Sequence, residues 1–233
     1  MAKNLLRPKA IHPLGDCAAY VEFSEELDLE VNAAVQRLAA VVHARGRAWL
    51  RDVVPALGGL ALHFDPDHPE LHGESLQAAA ALVAECLKEV DAKDDGAARV
   101  VEVPVCYAPE FAPDIEEVAK KAKLSVEEVA QLHAAGDYRV LMIGFAPGHA
   151  YMGGLDRKLS LPRRATPRAV VPAGAVAIAN DQTVVYPYAI SGGWNVIGRT
   201  PLTVFNAFRE APSLFEPGDR VRFRAIPKEE FRG

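Results

Sequence analysis

One stretch of the sequence concentrates side chains that could bind anions or transfer protons. It runs from position 144 to 201, where short apolar runs are separated by turns rich in glycine and proline. The glycine pairs Gly153-Gly154 and Gly192-Gly193 permit positive φ angles and a close approach of the backbone to a ligand. The polar and aromatic side chains of these turns are His149, Tyr151, Arg163, Arg164, Thr166, Arg168, Gln182, Thr183, Trp194, Asn195, Arg199 and Thr200.

The chemistry that these side chains share is the recognition of negative charge. Guanidinium groups bind carboxylates and phosphates through paired hydrogen bonds, and backbone amides in turns form concave anion sites. The segment has six basic and two acidic residues, a charge of +4, so the rest of the −5 chain carries −9. We expect a small anion to bind here, although the tight corners of a small β-barrel would give a similar pattern. The acidic remainder argues against a general nucleic-acid binder.

A cluster of histidine and aspartate residues has the side-chain types of a metal site. Its spacing matches no compact ligand pattern, and it is interrupted by Pro66 and Pro69. A solvated connection between a strand and a helix is therefore the better interpretation, and we expect no metal site. The residues of this cluster are His63, Asp65, Asp67, His68 and His72.

Three cysteines, Cys17, Cys86 and Cys106, form no close pair in the sequence. This odd number supports neither a disulfide framework nor a zinc knuckle and is typical of a reducing cytosol. No neighbour activates Cys106 as a nucleophile, and Cys17 and Cys86 are expected in or near a core. The N-terminus lacks the apolar region of a secretion signal, and the most apolar helical stretch, 78–84, is too short to span a bilayer. The sequence thus predicts a soluble, cytoplasmic protein with no membrane partner.

The elements that must position these residues fall into two regions. In the first, apolar patterns follow the order β-α-β-β-α-β, the split βαβ arrangement of ferredoxin-like domains. The first helix is expected to begin after Asp28, an N-cap, and to end at Gly46. The last strand of the series begins at Val100. We place the boundary near Pro104, so the first domain covers 1–104.

The second domain, 105–233, begins with two short helices and continues as short strands. Asp114 is predicted to cap the first helix, and Ser125 with Glu128 forms a capping box at the second. Beyond Tyr138 turn residues are frequent, as in a β-barrel or sandwich. The expected fold is therefore α+β, with a β-rich second domain that carries the basic segment. The predicted strands cover 139–145, 175–179, 183–186, 202–205 and 219–225.

Standard nucleotide-binding and hydrolase fingerprints are absent from the sequence. It contains neither G-x-x-x-x-G-K-[ST], nor G-x-G-x-x-G between a strand and a helix, nor G-x-S-x-G. A nucleotide would therefore have to bind through another loop geometry.

Several ordered blocks of the basic segment resemble the signature of one family, the allophanate hydrolase subunit 1 family. This family includes the B subunit of 5-oxoprolinase and an inhibitor of a sporulation histidine kinase. Three positions depart from the usual pattern: His149 replaces an aromatic residue, Asn180-Asp181 replaces Gly-Gly, and Ser191 replaces a proline. Asparagine and aspartate tolerate left-handed backbone, so the Asn180 turn is expected to survive. The blocks are GFAPGHAYMGGL (144–155), PRRATPR (162–168), VPAG (171–174), QT with YP (182–187) and GGWNVIGRTP (192–201).

The resemblance implies a ferredoxin-like N-terminal domain followed by a cyclophilin-like β-barrel. It implies one component of ATP-dependent 5-oxoprolinase, an ATP-hydrolysing amidohydrolase that opens the cyclic amide 5-oxoproline to glutamate. The implied partners are the larger, homologous C subunit of 5-oxoprolinase and its A subunit, and the chain is expected to be inactive without them. The implied cofactor is ATP with Mg²⁺.

Candidate site residues follow from what this reaction needs. The amide carbonyl is a poor electrophile, and phosphorylation of its oxygen would create a leaving group, so the site must hold a carboxylate, phosphates and developing negative charge. Arg163, Arg164 and Arg199 are expected to clamp these anions, and His149 is expected to carry a proton. The expected substrate- and ATP-binding residues are Tyr151, Gln182, Thr183, Trp194, Asn195 and Thr200.

Two alternative functions remain open at the level of sequence. One is a biotin-dependent carboxyltransferase module acting on urea or a similar amide, in which biotin would visit the site. The other is a regulatory protein that inhibits a histidine kinase by direct contact. An interaction surface alone would not require so many polar residues in turns, so the enzymatic interpretations are favoured.

Overall fold

The computed structural model describes residues 6–90 and 98–232. The chain divides into two compact units, Met1–Ala97 and Ala98–Gly233. The division therefore lies before the boundary that we expected near Pro104. The reason is the strand that begins at Val100, because it pairs with the last strand of the second unit rather than with the first unit.

The first unit is a four-stranded antiparallel sheet with two helices, as in ferredoxin-like domains. The strand order is β1-β2-β4-β3. Helix α1 packs against β3, β4 and α2, and helix α2 packs against β1 and β2. The elements are β1 (Ala10–Pro13), β2 (Ala18–Glu22), α1 (Leu29–Arg45), β3 (Leu50–Pro55), β4 (Gly59–Phe64) and α2 (Ser75–Cys86).

Local sequence signals predicted helix α1 correctly, whereas the predicted pairing of the strands in this unit was partly wrong. The Asp28 carboxylate accepts hydrogen bonds from the amides of Glu30 and Val31, and Gly46 ends the helix with a φ of 57°. The expected final strand of the β-α-β-β-α-β series is absent from this sheet, and β1 occupies the sheet edge beside β2. Alternation identifies a strand but not its partner, which explains the error.

The second unit is a seven-stranded sheet that curls into a nearly closed barrel. Its order is β12-β9-β10-β7-β6-β13-β5, and a separate two-stranded ribbon is formed by β8 and β11. The amide of Cys106, after β5, donates to the carbonyl of Arg199 in β12 at 2.8 Å, and the reverse bond measures 3.0 Å. These bonds join the two ends of the sheet and confirm the predicted α+β architecture with a barrel. The elements are β5 (Val100–Val105), α3 (Ile115–Ala122), α4 (Val126–Ala135), β6 (Tyr138–Ile143), β7 (Ala150–Gly153), β8 (Arg168–Val171), β9 (Ala175–Ala179), β10 (Gln182–Val185), β11 (Ile190–Gly192), β12 (Asn195–Arg199) and β13 (Arg220–Ala225).

Two further sequence expectations need correction. The predicted strand at 202–205 forms no ladder; it contributes one isolated bridge between Phe205 and Ser213. Val204 is nevertheless buried in the barrel core, so its apolar character reflects packing of an irregular segment. Cys17 is exposed rather than near a core, whereas Cys86 and Cys106 are buried.

Strand alternation gives the barrel two packed faces. On β9, Val176 and Ile178 belong to the barrel interior. The intervening alanines face an outer cluster, where their small side chains leave room for the rings of Tyr186 and Trp194. The ribbon contributes Val171 of β8 to this outer cluster. The alanines concerned are Ala175, Ala177 and Ala179.

Within residues 6–90 and 98–232, no helix has the length and apolarity that crossing a membrane requires.

Candidate functional site

A pocket of about 240 Å³ is built on the outer cluster of the barrel. Five of the ten predicted site residues line it: His149, Tyr151, Arg163, Arg164 and Trp194. The other lining residues are Phe145, Pro167, Tyr186, Ser191, Gly192 and Gly193.

The walls of the pocket are aromatic rings in edge-to-face contact. Tyr151 meets Trp194 with ring centroids 5.9 Å apart, and His149 meets Tyr186 at 5.2 Å with an interplanar angle of 88°. The ring of Phe145 lies 5.4 Å from that of His149. Such offset arrangements are favourable for aromatic pairs and hold the walls in place.

His149 is held by the loop between β6 and β7. Its amide donates to the carbonyl of Ala146 at 3.0 Å, and its carbonyl accepts from the amide of Gly144 at 3.1 Å. The side chain is buried, and its Nδ1 has no hydrogen-bond partner among the described residues. Burial lowers the pKa of His149 to about 4, so the imidazole is neutral at pH 7. The same burial makes it a weak base, because protonation would place a charge in a buried position.

The same loop holds Phe145 in an unusual conformation. Its φ is 71°, a left-handed value that is rare for a bulky residue, and its side chain is 65% exposed. Gly148 also has a positive φ, of 76°, and a Cβ there would lie 2.8 Å from the Cβ of Phe205. The loop therefore needs glycine at 148 and tolerates strain at Phe145, next to the pocket.

The arginines of the pocket have different surroundings. The guanidinium of Arg163 lies 5.7 Å from the centroid of the Trp194 ring, a cation–π distance, and forms no ion pair among the described residues. Arg164 donates from Nη1 to Oδ1 of Asp114 at 2.5 Å, and its backbone amide bonds the carbonyl of Gly193 at 2.8 Å. The Nε of Arg164 is buried without a partner among those residues.

Asp114 was expected to cap helix α3, and the structure corrects this expectation. Its buried carboxylate makes no side-chain cap bond. Instead it binds Arg164, accepts two bonds of 2.7 Å from Arg168 and accepts one of 2.7 Å from the amide of Val196. The bond to Asp114 also raises the pKa of Arg168. Two guanidinium groups compete better for this carboxylate than the neutral amides of the helix.

Tyr186 is a pocket residue that was absent from the predicted site. It is almost fully buried, and burial raises its pKa to about 12, partly offset by a hydrogen bond from the Trp194 amide. The hydroxyl is therefore protonated at neutral pH. A Cβ at Gly192 would overlap this hydroxyl, so glycine is required there for the ring to fit.

The remaining five predicted site residues lie outside the pocket lining, and four of them lie on the barrel strands β10 and β12. Thr183 faces the interior, where its hydroxyl lies 3.0 Å from Nε2 of His133. Arg199 donates from Nε to the carbonyl of Ala173 at 2.9 Å, and its guanidinium lies 5.8 Å from the ring of Phe231. Both side chains make contacts that support the fold.

Asn195, Thr200 and Gln182 also lie outside the pocket lining. The side-chain amide of Asn195 donates to the carbonyls of Pro162 and Ile178, at 3.0 and 3.2 Å. Thr200 accepts a bond of 3.3 Å from the amide of Leu202. The Nε2 of Gln182 is buried without a partner among the described residues.

The structure brings together no group of three histidine, cysteine, aspartate or glutamate side chains that could hold a metal ion, within residues 6–90 and 98–232. The His63–His72 cluster of the sequence accordingly forms no such group. In that stretch Asp65 pairs with Arg51, and His68 accepts a bond from the amide of Glu70.

Sequence reasoning missed Asp114, Tyr186 and Phe145. Tyr186 stood in one of the family blocks, and Asp114 in front of a helix invited the simpler assignment as a cap. Phe145 also stood in a family block, but its left-handed backbone has no sequence signal because glycine and asparagine are the residues normally expected there.

The fold and the pocket define a class of α+β proteins in which a ferredoxin-like unit precedes a barrel with a pocket lined by arginine and aromatic side chains. The chain belongs to the family described as carboxyltransferase domain, subdomain C and D, whose profile matches residues 9–215.

Relatives with assigned names agree with this membership. The chain is 38% identical to the 5-oxoprolinase B subunit of Bacillus subtilis (strain 168), over 95% of this chain and 94% of that one. It is 46% identical to the 5-oxoprolinase B subunit of Escherichia coli O157:H7, over 57% of this chain and 60% of that one.

Solved structures show the same fold. TTHA0988 superposes with a TM-score of 0.77 at 37% identity, covering 90% of this chain but only 40% of that one. PH0987 of Pyrococcus horikoshii, a conserved uncharacterized protein, gives a TM-score of 0.56 at 39% identity and is covered completely. Urea amidolyase of K. lactis gives 0.75 at 17% identity, which shows likeness of fold alone.

Proposed function

We propose that this chain is the B subunit of an ATP-dependent 5-oxoprolinase and opens 5-oxoproline to glutamate together with the A and C subunits. The observation that carries the proposal is the 38% identity, over almost the whole chain, to the Bacillus subtilis protein of that name. The pocket supports it, because guanidinium groups that suit a carboxylate lie beside aromatic walls that suit a small ring.

The size of the pocket favours the small acid over the nucleotide as its occupant. Small-molecule sites typically have volumes of about 300–1,000 Å³, and this pocket, at about 240 Å³, lies below that range. The pocket is too small to enclose a whole nucleoside triphosphate with Mg²⁺. We therefore assign 5-oxoproline to this pocket and the bulk of the nucleotide to the surface beside its mouth, from which the γ-phosphate would have to reach the amide oxygen.

Two side chains could act on the ring once it is bound. The protonated hydroxyl of Tyr186 can donate a hydrogen bond to the amide oxygen, where negative charge develops when the carbonyl is attacked. The neutral imidazole of His149, whose Nδ1 has no partner among the described residues, can form a hydrogen bond with the bound ring, whereas its pKa of about 4 makes it a weak base at pH 7. The aromatic walls limit access of water to both groups.

The test is glutamate formation from 5-oxoproline and ATP by this chain co-expressed with candidate A and C subunits. We expect ATP-dependent glutamate from the assembled complex. Tyr186→Phe is expected to lower kcat about 100-fold, as loss of one oxyanion donor does. Tyr188→Phe, two residues away and outside the pocket lining, is the matched control and should retain activity. A folded, assembled complex that makes no glutamate would overturn the proposal.

The alternatives of a carboxyltransferase acting on urea and of a kinase inhibitor gain no specific support. The urea amidolyase of K. lactis shares the fold at 17% identity, which carries no argument about substrate.

A further inference from the structure

One buried carboxylate makes the arginines of the pocket unequal. The side chain of Asp114 is only 3% exposed and binds the guanidinium groups of both Arg164 and Arg168. Arg168 meets it through two parallel bonds, the strong geometry for an arginine–carboxylate pair. A third group, the Val196 amide, fixes the carboxylate further, so the arrangement is preformed.

Arg163 differs from these two arginines in its surroundings. It lines the pocket, rests on the face of Trp194 and forms no ion pair within the described part of the chain. Its guanidinium is already oriented by the ring, and no carboxylate of that part of the chain occupies its hydrogen-bond donors. It is therefore the arginine best placed to bind an incoming anion.

Among the charged groups around the pocket, Arg163 is the guanidinium that no carboxylate of the described residues engages. Asp114 engages the other two guanidinium groups. Glu117 lies 3.7 Å from Arg164 but pairs with Lys121 at 2.7 Å and is half exposed, so its contribution at the pocket is weak. One ligand carboxylate satisfies the unpaired guanidinium of Arg163, whereas a diphosphate or triphosphate would bring several negative charges without a partner of this kind.

We propose that Asp114 makes this pocket selective for ligands with a single negative charge, and that Arg163 binds the carboxylate of such a ligand. Arg164 and Arg168 are then positioning residues, engaged by Asp114 rather than by the ligand. The inference rests on the proposed function for the identity of the ligand, 5-oxoproline, but not for its charge class.

The first experiment is calorimetric titration of the purified full chain with four probes. They are 5-oxoproline, 2-pyrrolidone, which is the same ring without the carboxylate, acetate and inorganic pyrophosphate. We expect 2-pyrrolidone to bind about 10- to 100-fold more weakly than 5-oxoproline, because it cannot form the charge-assisted hydrogen bond that the carboxylate makes. We expect pyrophosphate to bind no more tightly than 5-oxoproline. Tighter binding of pyrophosphate would overturn the proposal.

Variants separate the roles of the arginines. Arg163→Gln should lower the affinity for 5-oxoproline about 10- to 100-fold and leave the affinity for 2-pyrrolidone unchanged. Arg157→Gln removes an equal charge from an exposed position of the same segment and is the matched control, expected to bind like the wild type. An Arg163→Gln chain that binds 5-oxoproline normally would show that another group recognises the carboxylate.

The role of Asp114 is read from the ratio of two affinities, which a merely structural role would not shift in this direction. Asp114→Asn should raise the affinity for pyrophosphate relative to 5-oxoproline at least tenfold, because it removes a negative charge and leaves Arg164 and Arg168 without their carboxylate partner. Should this variant not fold, Arg168→Gln provides the opposite change and should lower the same ratio. An unchanged ratio in the folded variants overturns the proposal.

These experiments distinguish failure of this inference from failure of the proposed function. If the assembled complex makes no glutamate but the chain binds 5-oxoproline or acetate in an Arg163-dependent way, the function falls and the inference stands. If the complex turns over 5-oxoproline while Arg163→Gln leaves its KM unchanged, the inference falls. A chain that binds neither acid also contradicts the inference.

Discussion

The hydroxyl of Thr183 and Nε2 of His133 lie 3.0 Å apart in the interior of the barrel. The same hydroxyl donates to the carbonyl of Ala177 at 3.2 Å, so Nε2 must carry the imidazole hydrogen. Nδ1 then accepts from the hydroxyl of Tyr107 at 2.7 Å. The buried histidine is thereby satisfied as a neutral group, which explains a polar network in an otherwise apolar core.

This burial predicts a loss of stability on acidification. Burial lowers the pKa of His133 to about 3 and that of His149 to about 4, both below the ordinary value of 6.5. Below pH 6.5 the unfolded chain binds protons that the native chain does not. The stability is therefore complete above pH 6.5 and is lost as the pH falls toward 4, by about 1.4 kcal/mol per pH unit for each histidine.

The measurement is urea unfolding between pH 7.5 and 5 in a Trp49→Phe background, so that the fluorescence comes from Trp194 in the second unit. In a His133→Gln variant, the free energy of unfolding should fall less steeply with decreasing pH, by the amount that corresponds to one proton. Thr183→Val keeps the imidazole but removes its acceptor, so it should cost about 1–3 kcal/mol at every pH with the slope unchanged. Equal slopes in the wild type and the His133→Gln variant would contradict the prediction.

The two adjacent glycines of the pocket are predicted to respond differently to alanine. A Cβ at Gly192 would overlap the Tyr186 hydroxyl, whereas one at Gly193 would meet nothing closer than Pro167 Cγ at 3.6 Å. We expect Gly192→Ala to destabilise the second unit by about 1–3 kcal/mol and to abolish 5-oxoproline binding. Gly193→Ala should remain close to the wild type in both measurements. Similar losses in the two variants would argue against a ring fitted beneath Gly192.

The conformation of Phe145 predicts an unusual order of stability. Phe145→Ala and Phe145→Gly both remove the ring, so they differ only in the strain of a Cβ at a φ of 71°. The glycine variant should therefore be more stable than the alanine variant by about 1 kcal/mol, the reverse of the order in regular elements. Thermal unfolding of the pair tests this, and an alanine variant of equal or greater stability would disprove it.

Local signals predicted those parts of the fold whose partners are close in sequence. The capping box is one example: the Ser125 hydroxyl accepts from the amide of Glu128, and the Glu128 carboxylate accepts from the amide of Ser125. The turn at Asn180 is another, since its φ of 51° agrees with the tolerance expected of asparagine. In both cases the interacting groups lie within a few residues, so composition and spacing suffice.

Position within a strand distinguishes Thr183 from the residues that line the pocket. Thr183 alternates with Val184 and lies on the same side of β10 as Val185, which belongs to the barrel core. Strand geometry alone therefore separates Thr183 from Tyr186, which lies on the outer face. The composition of the basic segment predicts one site, whereas its alternate residues lie on opposite faces of the strands.

By itself, the sequence determined the α+β class, the barrel, the family resemblance and the segment that contains the pocket, because these depend on periodicity and local motifs. Only the tertiary structure decided which side chains meet. Asp114 meets Arg168 across 54 positions, and His149 meets Tyr186 across the barrel surface. Such contacts depend on strand pairing and register, which local sequence does not encode, and they distinguish Arg163, which rests on Trp194, from Arg164, which is paired with Asp114.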